Sequence, residues 1–332
     1  MAASWYSVSH TDNRGVRQSA SMKNILITGG AGFIGSHTAE ALLARGVRVR
    51  VLDNFSNGKL ANLPAAALAN GQLTVTDGDV RHADTVDAAV QGMDAVLHLA
   101  AQVSVQRSVA EPVTSSGHNI TGYLHVIDAV RRHQVPRLVY ASSAAVYGIP
   151  KSLPLSEEVT PQPLSPYGLE KLVNDQYADL FRALYGVSSV GMRYFNVYGP
   201  RQDPASPYAG VISKFANGLQ TGTPLRVFGD GSQTRDFVYV GDVAQANVRA
   251  LEANVQGVLN VGTGLTVSLL QLIEAMAQAF VATPQVRHEA PAHGDIPHSA
   301  TTTTRLAQAL AWQPSTTLQD GLGALARSLC TR

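Results

Sequence analysis

The chain has 332 residues, of which 45% are hydrophobic, and a net charge of +1 with histidine neutral. That length allows one large domain or two with a sizeable core, and the balanced charge leaves no electrostatic footprint for nucleic acid or an anionic membrane. Cys330 is the only cysteine, which excludes an intramolecular disulfide and fits a reducing compartment. No apolar run reaches spanning length, so the expectation is a soluble, cytoplasmic protein.

Residues 1–22 are polar, lack helical or strand periodicity and read as a disordered or vector-derived extension, with Met22 as a candidate start. From Lys23 onward strands and helices alternate. Ile25 to Thr28 reads as a buried strand. Gly29, Gly32 and Gly35 follow at three-residue spacing, ahead of a helical pattern over His37 to Leu43. A strand entering a helix through such a turn aims unpaired N–H groups and a positive dipole end at one point, which suits phosphate. The plainer alternative is a tight turn that packs a helix on a sheet.

Val47 to Leu52 is apolar at alternate positions and ends in Asp53. A carboxylate there accepts hydrogen bonds from an adenosine ribose and repels a 2′-phosphate, which favours NAD over NADP; otherwise Asp53 is a turn residue. Leu73 to Thr76 leads to Gly78-Asp79, where Asp79 either meets the adenine or closes a turn. Asp94 to Ala100 is a third buried run, and Leu99, Ala100, Ala101 and Gln102 end it at the carboxyl edge where ligands collect. Asn119 to Val130 is helical, with Leu124, Ile127 and Val130 on one face. Arg137 to Ala141 is a strand, residues 166–185 a long helix and Val187 to Met192 another strand.

Beyond residue 197 the prolines 200, 204, 207 and 224 interrupt the pattern, and Gly229-Asp-Gly231 marks a turn. Asp242 to Ala253 is helical, Gly257 to Val261 is a strand, and Ser268 caps a helix carrying Leu269, Leu272, Ile273 and Met276 on one face. The expected fold is α/β: a Rossmann-type doubly wound parallel sheet with a smaller C-terminal substrate-binding α/β lobe. Residues 23–196, with 235–265 returning to them, make the NAD-binding part. Residues 197–234 and 266–332 make the lobe.

Tyr167 and Lys171 share a helix face at i, i+4 spacing. A phenol titrates near pH ~10 and is a poor base at neutrality, but a neighbouring ammonium and a positive nicotinamide both favour the phenolate. The pair then makes a general base for an alcohol proton. Ser142-Ser143 ends the preceding strand at the ligand edge, where a serine reaches the same alcohol oxygen. Tyr and Lys at this spacing are also common on surfaces; the glycine turn and the serine pair favour the catalytic reading.

The stretches Gly29-Gly-Ala-Gly-Phe-Ile-Gly35, Asp53-Asn54, Leu99-Ala-Ala101, Ser142-Ser-Ala-Ala-Val-Tyr-Gly148 and Ser165-Pro-Tyr-Gly-Leu-Glu-Lys171 resemble the extended short-chain dehydrogenases/reductases, and within them the UDP-hexose 4-epimerases. Arg193-Tyr-Phe-Asn-Val-Tyr-Gly-Pro200 and Arg235-Asp-Phe-Val-Tyr-Val240 carry the resemblance into the second half. It implies tightly held NAD and a Ser143–Tyr167–Lys171 triad. Tyr167 removes the proton of the sugar 4-hydroxyl while C4 gives a hydride to the nicotinamide, and the 4-keto sugar turns and takes the hydride back on its other face. The resemblance adds Phe33, Ile34, Asn54, Val80, Asn119 and Tyr194 to the cofactor side. It adds Ser104, Ser142, Asn196, Val211, Arg235, Asp295 and Ser299 to the substrate side.

Dehydratases of this family carry an acidic residue in the segment that here reads Ser143-Ala144-Ala145, so epimerisation is favoured over loss of water. Ser299 matches a position that limits the sugar pocket; a small residue there resembles members that accept 2-N-acetylated sugars, although a loop serine would read the same way. The family arginine just before Gly294-Asp295 is absent, and His293 stands in its place. His288, His293 and His298 at five-residue spacing match no compact zinc pattern, so no metal is expected. The leading expectation is a UDP-sugar 4-epimerase that favours UDP-GlcNAc/UDP-GalNAc over UDP-Glc/UDP-Gal. The alternatives are a nucleotide-sugar dehydratase or oxidoreductase, and a non-catalytic NAD-binding sensor. By resemblance the protein is also a homodimer, joined by the helices near residues 110–132 and 166–185.

Overall fold

The computed structural model of the protein describes residues 22–202, 210–291 and 296–330. The expectations for residues 1–21, His293 and Asp295 lie outside them. β1 (Asn24–Thr28) runs into α1 (Phe33–Leu43), followed by β2 (Arg48–Asp53), α2 (Ala65–Ala69), β3 (Leu73–Asp77), α3 (Ala83–Val90) and β4 (Ala95–His98). Next come α4 (Val105–Ala110), α5 (Pro112–Ser116), a π-helical turn over Gly117–Thr121, α6 (Gly122–Arg132) and β5 (Leu138–Ser143). α7 (Pro166–Tyr185), β6 (Ser189–Tyr194) and β7 (Asn196–Tyr198) lead into α8 (Val211–Thr221), β8 (Leu225–Phe228), β9 (Thr234–Arg235) and β10 (Phe237–Tyr239). The chain closes with α9 (Val240–Glu252), β11 (Gly257–Val261), β12 (Val267–Ser268), α10 (Leu269–Phe280), β13 (Val286–Glu289), α11 (Thr304–Leu310) and α12 (Leu318–Cys330).

Seven parallel strands form the main sheet in the order β11-β6-β5-β4-β1-β2-β3. Successive strand residues point to opposite faces. Ile25, Ile27, Val49 and Val51 therefore pack with α1 and α9 on one side, and Leu26, Leu52, Val96 and Tyr140 with α3 and α6 on the other. Burial on both faces is why these strands read as continuous apolar runs. The order reverses between β1 and β4, where Thr28 lies opposite His98, and a crevice opens at the carboxyl ends of the two strands.

The first helix begins at Phe33, not at His37 as its period suggested. Gly32 and Gly35 hide the apolar repeat there, so Gly35 belongs to the first helical turn. The helix after β11 follows its pattern closely: Ser268 and Gln271 form a reciprocal capping box, and Leu269, Leu272, Ile273 and Met276 are buried. They join Tyr198, Phe215, Phe237 and Leu322 in a further buried cluster, separate from the two on the faces of the main sheet.

α7 is held to the sheet by a buried ion pair. Asp175 accepts from Arg193 Nε at 3.1 Å and Nη2 at 3.0 Å, from Tyr140 Oη at 3.1 Å and from Ser142 Oγ at 3.2 Å. Arg193 also donates to Tyr147 Oη at 2.9 Å, whose hydroxyl passes on to Asn260 Oδ1 at 2.6 Å. Gly191 makes room for this arrangement, since a Cβ there would lie 2.6 Å from the Tyr140 ring. Burial pushes the Asp175 carboxyl up and Arg193 pulls it back. Removing one member of such a pair strands the other charge in the interior. Asp175→Ala should cost about 3–5 kcal/mol of stability by chemical denaturation, whereas a loss below about 1 kcal/mol would show that α7 is anchored in another way.

Candidate active site

Gly29 follows β1 with φ +71°, and a Cβ there would lie 2.7 Å from the Ala100 nitrogen. Only glycine allows β1 and the loop after β4 to run so close together. Gly32 is the N-cap of α1 and no side chain caps this helix, which leaves its first-turn N–H groups for a ligand. At Gly35 an added Cβ would collide with the Gly29 carbonyl oxygen, so the turn tolerates no side chain on that face. Phe33, Ile34 and Gly35 form the first helical turn of this cradle.

Asp53, at the end of β2, is buried and accepts from the Ala31 N–H and the Phe55 N–H, both at 2.9 Å. Burial raises its pKa, and those N–H groups lower it. The Ala31 carbonyl in turn accepts from Lys59 N at 3.1 Å and Asn62 Nδ2 at 2.8 Å. The loop after β2 thus clamps the glycine turn. Lys59 and Asn62 were missed in the sequence because nothing local links them to a residue so far back in the chain.

Asp79 is forked by Arg81, through Nε at 3.0 Å and Nη2 at 2.8 Å, and accepts from Asn54 Nδ2 at 2.8 Å. The Arg81 guanidinium holds its carboxyl well below the usual range. Val80 packs under Gly122. Thr28 ties down the loop after β4, accepting from Leu99 N through its carbonyl at 3.0 Å and from Ala100 N through Oγ1 at 3.3 Å. Ala101 and Gln102 continue this loop.

Some expected contact residues are already committed to the protein. Asn119 is fully buried, donates through Nδ2 to Gln102 O at 2.8 Å and Glu170 Oε2 at 2.6 Å, and accepts from Gln102 N at 2.9 Å. It has no N–H left for a cofactor and acts on the site through Gln102. Ser104 Oγ accepts from Arg107 N at 3.0 Å and caps α4. The reading of Ser142 as a substrate residue needs correction, because this serine is buried and donates to Asp175, under α7. Adjacent strand residues face opposite ways, so only Ser143 of the pair turns to the open edge. Tyr194 is paired with Ser143 across β5 and β6, but its hydroxyl donates inward to Asn247 Oδ1 at 2.7 Å.

Ser165 caps α7 by accepting from Gly168 N at 3.1 Å, and the Tyr167 N–H donates to Ser108 Oγ at 3.1 Å. Tyr167 is half-buried and Lys171 buried, with Lys171 Nζ 5.9 Å from the Tyr167 ring centroid and donating to Ala141 O at 3.1 Å. Ser143 faces the phenol. Burial pushes the Tyr167 pKa above its ordinary value, Ser143 works against this and Glu170 adds to it. The lowering expected from the Lys171 ammonium does not figure among the causes; only the Ser143 hydrogen bond opposes the rise. Burial also lowers Lys171 to about 8, against the pull of Asp175 and Glu170.

Beside α8 and β8, a cavity of about 430 Å³ is lined by Val211, Phe215, Phe228, Arg235 and Phe237. Lys214 and Arg226 reach the same cavity and were not singled out from the sequence, although Arg226 is forked by Glu289 at 2.7 and 2.6 Å. Arg235 donates to Thr234 O at 2.9 Å and Pro297 O at 3.3 Å, and the Ser299 N–H donates to Thr234 O at 3.1 Å. Arg235 and Ser299 thus come together around Thr234. Asn196 donates to Asp236 O at 3.2 Å on the adjoining β7.

Residues 25–262 match the NAD dependent epimerase/dehydratase family. This chain belongs to that family. It is 39% identical over 305 residues to a UDP-glucose 4-epimerase of Mycolicibacterium smegmatis, covering 90% of this chain and 95% of the relative. Among solved structures, a UDP-N-acetylglucosamine 4-epimerase from Methanobrevibacter ruminantium in complex with UDP-N-acetylmuramic acid is similar, with a TM-score of 0.90 and 35% identity, over 94% of this chain and 99% of that one. A Thermus thermophilus UDP-glucose 4-epimerase in complex with NAD has a TM-score of 0.85 and 37% identity, over 92% of this chain and 99% of that one.

The NAD of this family fits the site. The glycine turn has no room for a Cβ at Gly29 or Gly35, the helix start is uncapped, and an acceptor carboxylate stands at the end of β2. Asp53→Asn should weaken NAD binding about tenfold, a loss of about 1.4 kcal/mol, and narrow the preference over NADP, as read by fluorescence titration. Undiminished NAD affinity with unchanged discrimination would remove Asp53 from the ribose site.

Proposed function

We propose that this protein is an NAD-dependent UDP-sugar 4-epimerase in which Ser143, Tyr167 and Lys171 handle the proton of the sugar 4-hydroxyl. One observation carries the reading: the three side chains meet at the same carboxyl edge of the sheet as the uncapped start of α1. The relatives named UDP-glucose and UDP-N-acetylglucosamine 4-epimerase support it. Residues 23–196 and 235–265 make the cofactor-binding part and lend Asn196 and Arg235 to the sugar nucleotide, which residues 197–234 and 266–332 otherwise hold. Gly29, Gly32 and the first turn of α1 take the NAD diphosphate, Asp53 the adenosine ribose, and the Asn54–Asp79 pair with Val80 the adenine end. NAD, when bound, supplies the acceptor for the hydride of the sugar C4 and returns it to the opposite face.

Tyr167 accepts the proton of the 4-hydroxyl and gives it back, so no net proton is consumed. Ser143 hydrogen-bonds the same oxygen and fixes its distance to the phenol. Burial favours the neutral phenol, and the positive charges of Lys171 and of the oxidised cofactor favour the phenolate that accepts the proton. Arg235 and Asn196 hold the diphosphate, since a guanidinium forks onto phosphate oxygens, and Val211 packs on the nucleotide base. Ser143-Ala144-Ala145 offers no acid for eliminating water, which speaks against a dehydratase. The small Ser299 leaves space for a 2-acetamido group, which favours UDP-GlcNAc/UDP-GalNAc over UDP-Glc/UDP-Gal.

A coupled assay of both epimer pairs should give turnover with the higher kcat/KM for the N-acetylated pair. Tyr167→Phe should lower kcat by about 1,000-fold with NAD still bound, and Ser299→Tyr should cut kcat/KM about tenfold for the N-acetylated pair alone. No turnover of either pair by the NAD-loaded protein, or wild-type turnover by Tyr167→Phe, would defeat the reading.

We further propose a homodimer through the helices of residues 110–132 and 166–185, and a cytoplasmic enzyme. Val109, Val113, Leu169, Leu180 and Leu184 each leave more than half of their surface exposed on α4, α5 and α7, and these helices pack side by side. An unpaired apolar face of that kind suits a partner surface. Light scattering should give a dimer at micromolar concentration, and Leu180→Glu should shift it to monomer; a monomeric wild-type chain would contradict this.

A further inference from the structure

Glu170 lies on α7 between Tyr167 and Lys171 and is only 2% exposed. A carboxylate in the interior is tolerated only when well supplied with donors. Oε2 of Glu170 accepts from Ser115 Oγ at 2.8 Å and Asn119 Nδ2 at 2.6 Å, and Oε1 from Ser116 Oγ at 3.4 Å. Among the described residues none of these hydrogen-bond partners is cationic. The carboxyl group is thus held in the interior by neutral donors, one residue before the buried lysine.

The same donors reach the ligand-side loop. Asn119 grips both the N–H and the carbonyl of Gln102, while Gln102 Nε2 donates to Ser115 Oγ at 3.1 Å and to Ser104 O at 3.0 Å. Gln102 Oε1 accepts from Ser104 N at 2.5 Å. One carboxylate thus connects the catalytic helix, the π-helical turn and the loop Ala100 to Ser104.

We propose that Glu170 is a positioning residue: tied to Ser115 and Asn119, it locks the Ala100–Ser104 loop against α7 and places a carboxylate one residue before Lys171. This rests on the reading of Tyr167 and Lys171 as the catalytic pair. Several groups face Lys171. Glu170 and Asp175 come from its own helix, as does the Tyr167 ring; the Ala141 carbonyl comes from β5, and His98 from β4. Burial, and then Lys171 itself, lower His98 to about 3, so it is neutral and adds no competing charge. Asp175 is already committed to Arg193. Asp175 exerts the larger pull on Lys171 and shares its charge with Arg193, whereas Glu170 adds a smaller pull and touches no guanidinium.

The test needs no nucleotide sugar, so it succeeds or fails independently of the turnover assay. The lysines are Lys23, Lys59, Lys151, Lys171 and Lys214, and Lys171→Arg identifies the carbon-13 ε resonance of Lys171 by NMR. That resonance should titrate near pH 8 in the wild-type chain. In Glu170→Gln, isosteric but uncharged, its midpoint should fall by about one pH unit, and Glu170→Asp should restore it. A purely structural staple would leave the midpoint in place, and an unmoved midpoint in Glu170→Gln overturns the proposal. Ser115→Ala tests the loop arm in a chain that retains the charge. It should weaken NAD binding about fivefold, the worth of one hydrogen bond, with the Lys171 midpoint unchanged; undiminished NAD affinity contradicts the link to Gln102.

Discussion

Asp175 and Arg193 meet in the interior between α7 and β6, where either charge alone would be far less stable than in water. Their pairing has geometric consequences for everything above it. Tyr140, Ser142 and Tyr147 are drawn into the same network, so α7 sits on the sheet at one register. Asp175 is two turns along the helix from Tyr167 and one from Lys171, on the same face. Fixing Asp175 therefore fixes where the phenol and the ammonium project over the ends of β5 and β6. The glycine turn after β1 plays the same part for the cofactor, because its backbone passes too close to the β4 loop to be shifted without a clash.

Much of this was legible in the sequence where the signal is local. The alternation of apolar runs and helical patterns, the glycine spacing, Asp53 at a strand end and the capping of α10 by Ser268 all depend on neighbours within a few residues. The features that escaped depend on contacts across the fold. In Ser142-Ser143 both residues end the strand, and only the pleat separates the one that faces Asp175 from the one that faces the phenol. Glu170 reads as an ordinary helical glutamate until the turn at Gly117–Thr121 covers it. Lys59 and Asn62 lie in a segment with no periodicity, yet their hydrogen bonds to the Ala31 carbonyl hold the phosphate cradle in shape.

The electrostatics of Tyr167 also differ from what helical spacing suggests. A lysine one turn away lowers a phenol's pKa in the open, but here burial acts on both groups, raising the phenol and lowering the ammonium. Both shifts oppose the phenolate–ammonium form that taking a proton from an alcohol requires, and a positive charge placed beside the phenol works against them.

The central claim is that inversion at C4 proceeds by removing and returning a hydride at that carbon, with Tyr167 handling only the hydroxyl proton. The most direct measurement runs the epimerisation of UDP-N-acetylglucosamine or UDP-glucose in deuterium oxide to equilibrium, then reads the mass of the product sugar after exchangeable positions are washed back. The account predicts product carrying no deuterium at C4, because that hydrogen never meets solvent. Incorporation of solvent deuterium at C4 would mean that the carbon is deprotonated instead, and would contradict the account.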